Sequence, residues 1–538
     1  MRPSTSRVRF HREARAPLLA GCATFAHLLG TTLGPAGRVV AVNRVLKVGP
    51  PEMLASAALI ARRTFRLPDP FQNAGAMLLR HAVWRVYDRT GDGTATTAVL
   101  ASRLLHELDR LLTAGYSPLL LTRGLDRAGH TIAEVLRSLA RPVADIRALA
   151  GLLSSLHLSP ETEDELLDSL EGLGPDGIVL VDPDHHPDVQ VQLIQGVHWQ
   201  SRLLAPELLP PNVAKLQLVE PRILLTDWKL EEASQLLPLL EECARRGVRR
   251  LLIVASELSG HALALLRTNL ERGVLHQVAA VAAPSVGLQQ TRILEDLAAL
   301  TGGHAFLQAA GDRPEHARHA HLGSARQALV TRWTFALAGG RGDRAAIERR
   351  IALAEAELAA ADDESARRRA RERLGRLRGA FLHIRVGGTT PTEQEYRCLA
   401  LESLARTLQT ALATGVVPGG GASFAVAARR LAEQELSLPL EERAAFHAVR
   451  TALLEPLRTL AHNAGVDPAV IVHRSLEVAP NLVYDVLADQ WIDPWSAPLL
   501  DPLGVLEAAV ETSLSLGRTF LTTDVLVHRT WPASSAEP

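Results

Sequence analysis

The sequence predicts a helical domain interrupted by an inserted α/β domain. Three observations carry that reading. Residues 15–138 and the chain after about 393 have apolar residues at helical spacing. From about residue 177 the period shortens to β-rich runs separated by helical patterns. Two glycine-rich stretches of similar chemistry stand on opposite sides of that interruption, more than 300 residues apart.

The elements follow in order. Leu18, Leu19, Cys22, Phe25, Leu28 and Leu29 recur at helical spacing. Thr32-Leu33-Gly34-Pro35 then breaks the helix, as Gly-Pro does. Thr90-Gly91-Asp92-Gly93-Thr94-Ala95-Thr96-Thr97 runs into a helix marked by Val99, Leu100, Leu104, Leu105 and Leu108. Ile178–Val181, Ile223–Leu225, Leu251–Val254 and Val278–Val281 are short β-rich runs. Between them lie patterns such as Ala233, Leu236, Leu237, Leu240 and Cys243. Strand–helix alternation of this kind gives an α/β domain. Residues 343–378 are charge-rich with sparse apolar positions, which predicts an exposed helical hairpin. Gly415-Val416-Val417-Pro418-Gly419-Gly420-Gly421 again leads into an apolar helix.

Composition excludes several classes. A chain of 538 residues has room for about three domains. With 47% hydrophobic residues it can build a large core and is not globally disordered. A net charge of -1 gives no whole-chain attraction to nucleic acid or an anionic membrane. Cys22, Cys243 and Cys398 lie far apart without a Cys-x-x-Cys, against a disulfide framework or zinc site. No signal peptide is expected in Met1–Phe10, and no spanning helix elsewhere, so a cytoplasmic location is expected. His185, His186, His316, His319 and His321 fit no defined metal spacing. Arg367-Arg368-Arg369 stands beside Asp362, Asp363 and Glu364 and reads as a solvated helix face.

Both glycine-rich stretches are built to hold phosphate. Glycines let the backbone approach a ligand closely. The following helix N-terminus offers free N–H groups and a positive dipole end to an anion. Asp92 adds a hard oxygen ligand suited to Mg²⁺, and Thr94 and Thr96 add hydroxyl donors. Neither stretch is a Walker A loop, because no Gly-Lys-Ser/Thr follows. The two can form one site only if the chain's ends fold together.

These residues resemble a known family. Thr32-Leu33-Gly34-Pro35-Ala36-Gly37-Arg38, Gly91–Thr94, Gly415–Gly421 and Leu500-Asp501-Pro502 occur in the order and spacing of group I, GroEL-type chaperonins. Similarity extends from about Val8 to Val527. The resemblance implies an all-helical equatorial domain of residues 1–138 and 414–538 that binds ATP and makes ring contacts. It implies a small intermediate hinge domain of 139–194 and 383–413, and an inserted α/β apical domain of 195–382. Pro142, Gly196, Gly379 and Gly415 match family hinge positions, but Ala380 replaces the second glycine of a pair.

Family ATP contacts carry over to Thr32, Leu33, Gly34, Pro35, Asp92, Gly93, Thr94, Ala95, Thr96, Gly420, Asp485, Val486 and Asp501. By resemblance Asp92 coordinates Mg²⁺ and Asp501 holds the ribose. Ala95 replaces a threonine, losing a phosphate donor worth about 1 kcal/mol. The family brings an aspartate onto the attacking water from the intermediate domain. Here that position is Ser403, whose hydroxyl cannot act as a carboxylate base at neutral pH. Glu402 lies about 100° away around a helix. A second family aspartate has no clean counterpart in Lys47–Met53, where Lys47 or Glu52 is the partial stand-in. Weak or absent hydrolysis is therefore expected.

In the apical domain the resemblance implies a groove for unfolded polypeptide, and a co-chaperonin lid. Leu203, Leu208, Leu237, Leu240 and Leu263 carry over as client contacts, while Glu207, Arg267 and Thr268 replace apolar residues. Helical spacing equally allows these leucines to be core. Ser201 and Pro391 replace a family subunit link, and Trp531–Pro538 lacks the Gly-Gly-Met repeats of family tails. Two functions remain open: an ATP-driven folding chamber in rings of about seven, or a non-cycling holdase or scaffold, with or without a conventional paralogue.

Overall fold

The computed structural model describes residues 7–528 apart from 44–50, 64–65, 154–155, 157, 175–176, 185, 187, 210–214, 362–363, 389 and 498. Lys47, His185, Asp362, Asp363 and Trp531–Pro538 thus lie outside the described residues. The chain forms two compact units, residues 1–168 with 389–538, and residues 169–388.

The first unit is helical and is built from both ends of the chain. Helix Pro70–Thr90 begins where the Asp69 carboxylate accepts from Phe71 N at 2.9 Å, with proline in the first turn. It ends at Gly91, whose φ of 79° is the left-handed cap that glycine adopts without strain. Helix His11–Gly30 packs so closely on it that a Cβ at Gly21 would meet Gln72 O at 1.8 Å. Phe25, Leu79, Leu104, Leu108 and Leu125 from the first segment share one core with Phe424, Phe446 and Phe520 from the second. Each such side chain contributes about 1.5–3 kcal/mol by leaving water. Strand Arg7–Phe10 pairs antiparallel with Val525–His528, tying the ends together. The folding together of the termini that the two loops require is thus met.

The second unit is α/β around a ten-stranded sheet. Its strand order is Gln277–Ala282, Arg250–Ala255, Arg222–Thr226, Gly323–Thr331, Thr334–Gly340, Val189–Gln200, Ala380–Val386 and Ile178–Pro183. Lys215–Val219 and Ala305–Phe306 pair off this path. The first three strands run parallel and are buried on both faces, so they read as continuous apolar runs. Alternate residues divide between two cores. Leu252, Val254, Ala279 and Val281 pack with helix Leu288–Thr301. Leu251, Ile253, Val278 and Ala280 pack with helices Leu237–Arg245 and Gly260–Glu271.

The charge-rich segment forms helices Arg344–Ala359 and Glu364–Arg378. It is less exposed than its composition implies, because Ala354, Leu374 and Leu377 are buried in the sheet-side core. An ion network also holds it down. Arg373 Nε donates to Asp296 Oδ2 at 2.7 Å, and Arg350 Nε to Asp296 Oδ1 at 2.6 Å.

Candidate nucleotide site

The two glycine-rich stretches meet in the first unit. Strand Val416–Pro418 pairs antiparallel with Leu500–Pro502, setting Asp501 opposite Val417. That ladder delivers Asp501 beside Gly420, where both line one cavity of about 360 Å³. Thr32, Leu33, Gly34, Pro35, Asp92, Thr94, Ala95 and Thr96 line it from the other segment. Gly93 shapes the entrance to helix Thr94–Thr113 with φ 83°, and no side chain caps its first amides. Those amides therefore remain open to an anion. Thr94 Oγ1 is buried without a hydrogen-bond partner among the described residues. It is a ready donor in the cavity wall.

Two carboxylates dominate the electrostatics. Asp92 keeps its side chain open to the cavity, yet protein crowds it elsewhere. Burial raises its carboxyl above the usual range, partly offset by the Gly93 N–H. Burial, and then the charge of Asp92, push Asp501 up to about 7. A hard cation relieves that crowding, so Asp92 fits Mg²⁺ in charge and donor type.

A pH dependence follows. A carboxyl whose folded-state pKa is raised contributes stability below its unfolded value, near 4. That contribution is lost as pH rises through the folded value of about 7 for Asp501. The melting temperature of the nucleotide-free protein should fall by a few degrees between roughly pH 4 and 7 on this account. Asp501→Asn should flatten the fall. Scanning calorimetry of both proteins across that range checks it; equal slopes would show that the pair does not titrate there.

Ser403 faces the same cavity from helix Pro391–Thr414. Thr390 Oγ1 caps that helix by accepting from Glu393 N. Leu401, Leu404 and Leu408 are buried, so the helix packs as its apolar stripe predicts. Ser403 Oγ donates to Gly91 O at 2.5 Å and also bonds the Tyr87 side chain. Gly91 permits this approach: a Cβ there would meet Ser403 O at 2.4 Å. Tyr87, buried and raised by desolvation, is a cavity residue that sequence reading missed. Nothing in an amphipathic helix distinguishes it from core. Glu402 is half-buried and does not line the cavity. Glu52 is bound to Arg63 at 2.6 Å and lies off the cavity too.

Asp485 and Val486 stand just outside the lining. Asp485 Oδ1 accepts from Leu487 N at 2.9 Å, closing the turn between strands Val483–Asp485 and Gln490–Ile492. The neighbouring Tyr484 carbonyl comes within 3.7 Å of where a Cβ on Gly420 would lie.

The leucines carried over as client contacts separate in the second unit. Leu203, Leu208 and Leu240 are core, at 7%, 5% and 5% exposure, and are not surface groups in this conformation. Leu263 is partly buried against the core. Leu237 is 43% exposed, because it opens its helix at the rim. Ser201 is buried and its hydroxyl donates to Ala282 O, anchoring a strand end.

No described helix is long and apolar enough to cross a membrane. Residues 25–170 and 187–530 match the TCP-1/cpn60 chaperonin family. The chain is 32% identical over 527 residues to Chaperonin GroEL 1 of Rhodopirellula baltica, covering 96% of this chain and 91% of that protein. The fold is similar to the crystal structure of the chaperonin gp146 from bacteriophage EL 2 (Pseudomonas aeruginosa), determined in the presence of ATP-BeFx. That match has a TM-score of 0.67 and 17% identity over 97% of this chain and 98% of the other. A match of that extent in sequence, with helices and sheet arranged as described, makes this chain a member of the TCP-1/cpn60 chaperonin family.

Proposed function

We propose that the chain is a chaperonin ring subunit that binds Mg²⁺–ATP, holds unfolded polypeptide and assists its folding with slow ATP turnover. One observation carries the reading: the cavity unites both glycine-rich loops and two carboxylates with the Ser403 hydroxyl, which by the resemblance stands at the family's base position. Asp92 would hold the cation, the open amides of helix Thr94–Thr113 and Thr94 Oγ1 the phosphates, and Asp501 the ribose. Bound Mg²⁺ would supply charge neutralisation at the phosphates. Ser403 offers a hydroxyl already committed to Gly91 O, which orients but does not accept a proton from water. In this reading, residues 1–138 with 414–538 are the equatorial domain, 139–194 with 383–413 the hinge, and 195–382 the apical domain. The exposed Leu237 and the half-buried Leu263 are the first client contacts to test.

A non-cycling holdase is the second reading, favoured by the same serine. Steady-state ATP hydrolysis with and without a lid partner separates the two. Assembly is tested separately. Light scattering with nucleotide should give roughly 400 kDa, about seven times the 58.1 kDa chain, since closed symmetry leaves no interface unpaired. A monomer mass at micromolar concentration would refute the ring.

A further inference from the structure

The second unit contains a cavity of about 650 Å³ between strand Val189–Gln200, helix Leu288–Thr301 and the charge-rich hairpin. That volume suits a small organic ligand. Among the described residues, four arginines and three carboxylates line it. Asp296 is satisfied by Arg373 and Arg350, and Glu357 by Arg373 at 2.7 Å and Arg292 at 3.2 Å. Arg376 Nη2 pairs with Glu372 Oε2 at 3.7 Å, but Arg376 Nε is buried without a partner among the described residues. A second donor is orphaned on the same lining. Trp199 is 3% exposed, and its indole Nε1 also has no partner among the described residues. Burial, then the Arg376 charge, hold His198 down at about 4, so it adds no competing cation at neutral pH.

Two buried donors lacking acceptors cost free energy that an anionic acceptor recovers. The guanidinium that carries one of these donors favours an anionic acceptor over a neutral one. Ile293, Leu300 and Leu377 line the rest with hydrocarbon. We propose that this cavity binds a small monocarboxylate with a short apolar body, its oxygens accepting from Trp199 Nε1 and Arg376 Nε. Such a ligand would brace helix Glu364–Arg378, which runs directly into Gly379 and strand Ala380–Val386.

Titration calorimetry of the full chain tests this with hexanoate and benzoate, against hexanol and inorganic phosphate as controls. At least one carboxylate should bind saturably, one per chain, and neither control should displace it. Trp199→Phe and Arg376→Gln should each weaken binding by about tenfold or more, the worth of a charge-assisted hydrogen bond. Trp199→Phe preserves the stacking on Phe335, whose ring lies 5.5 Å away, so it decides the matter even if Arg376→Gln fails to fold. Absence of saturable carboxylate binding, displacement by hexanol or phosphate, or unchanged affinity in folded Trp199→Phe would each overturn the proposal.

Discussion

Purified protein should bind ATP yet turn it over slowly, and Ser403→Asp should restore part of the roughly 10²–10⁴-fold that a missing general base costs. The reasoning is chemical, because the helix carrying Ser403 is well packed: Leu401 and Leu408 are 1% and 0% exposed. A missing general base costs roughly 3–5 kcal/mol in the barrier. The variant must also break the Ser403–Gly91 bond and the contact with Tyr87, which frees the side chain toward the cavity. Stopped-assay phosphate release for both proteins checks the result. Failure of the rescue while wild-type turnover stays slow would place a second deficit in the segment around Lys47–Met53. Wild-type turnover at an ordinary chaperonin rate would make Glu402 the base, since a helix rotation of about 100° brings it round.

Asp92→Ala should abolish Mg²⁺-dependent ATP binding. Asp92 is the carboxylate most open to the cavity, and the Gly93 N–H already favours its ionised form. Its loss removes the cation's anchor and also lowers Asp501 toward the ordinary carboxylate range, because Asp92 is one of the two causes of that shift. The variant should therefore fold at least as well as the wild type while losing the ligand. Calorimetry in Mg²⁺ and in chelator reads both effects. Equal affinity in the variant, or in wild type without Mg²⁺, would sink the assignment.

Much of this was legible in the sequence because it depends on local rules. Apolar period separated the helical ends from the α/β middle, and the glycine-rich stretches marked backbone open to a ligand, where Gly91, Gly93, Gly420 and Gly421 prove to be left-handed. Family order and spacing then linked Asp92 to Asp501, which no local rule could do. The ladder Val416–Pro418 with Leu500–Pro502 is what brings them together, and it needs both ends of the chain. Direction was not legible. Leu237 and Leu240 stand one turn apart in the same helix, yet Leu240 is core and Leu237 is exposed. The hairpin's charges suggested exposure, whereas Asp296 collects two guanidiniums and buries their neighbours. Tyr87 at the site, and the orphaned donors of Trp199 and Arg376, were invisible for the same reason. Sequence by itself determined which segments are helix or strand and which loops can cradle an anion, since those follow from neighbours along the chain. Only the tertiary structure decided which side chains meet, which polar atoms lose water without gaining a partner, and so where a ligand would be held.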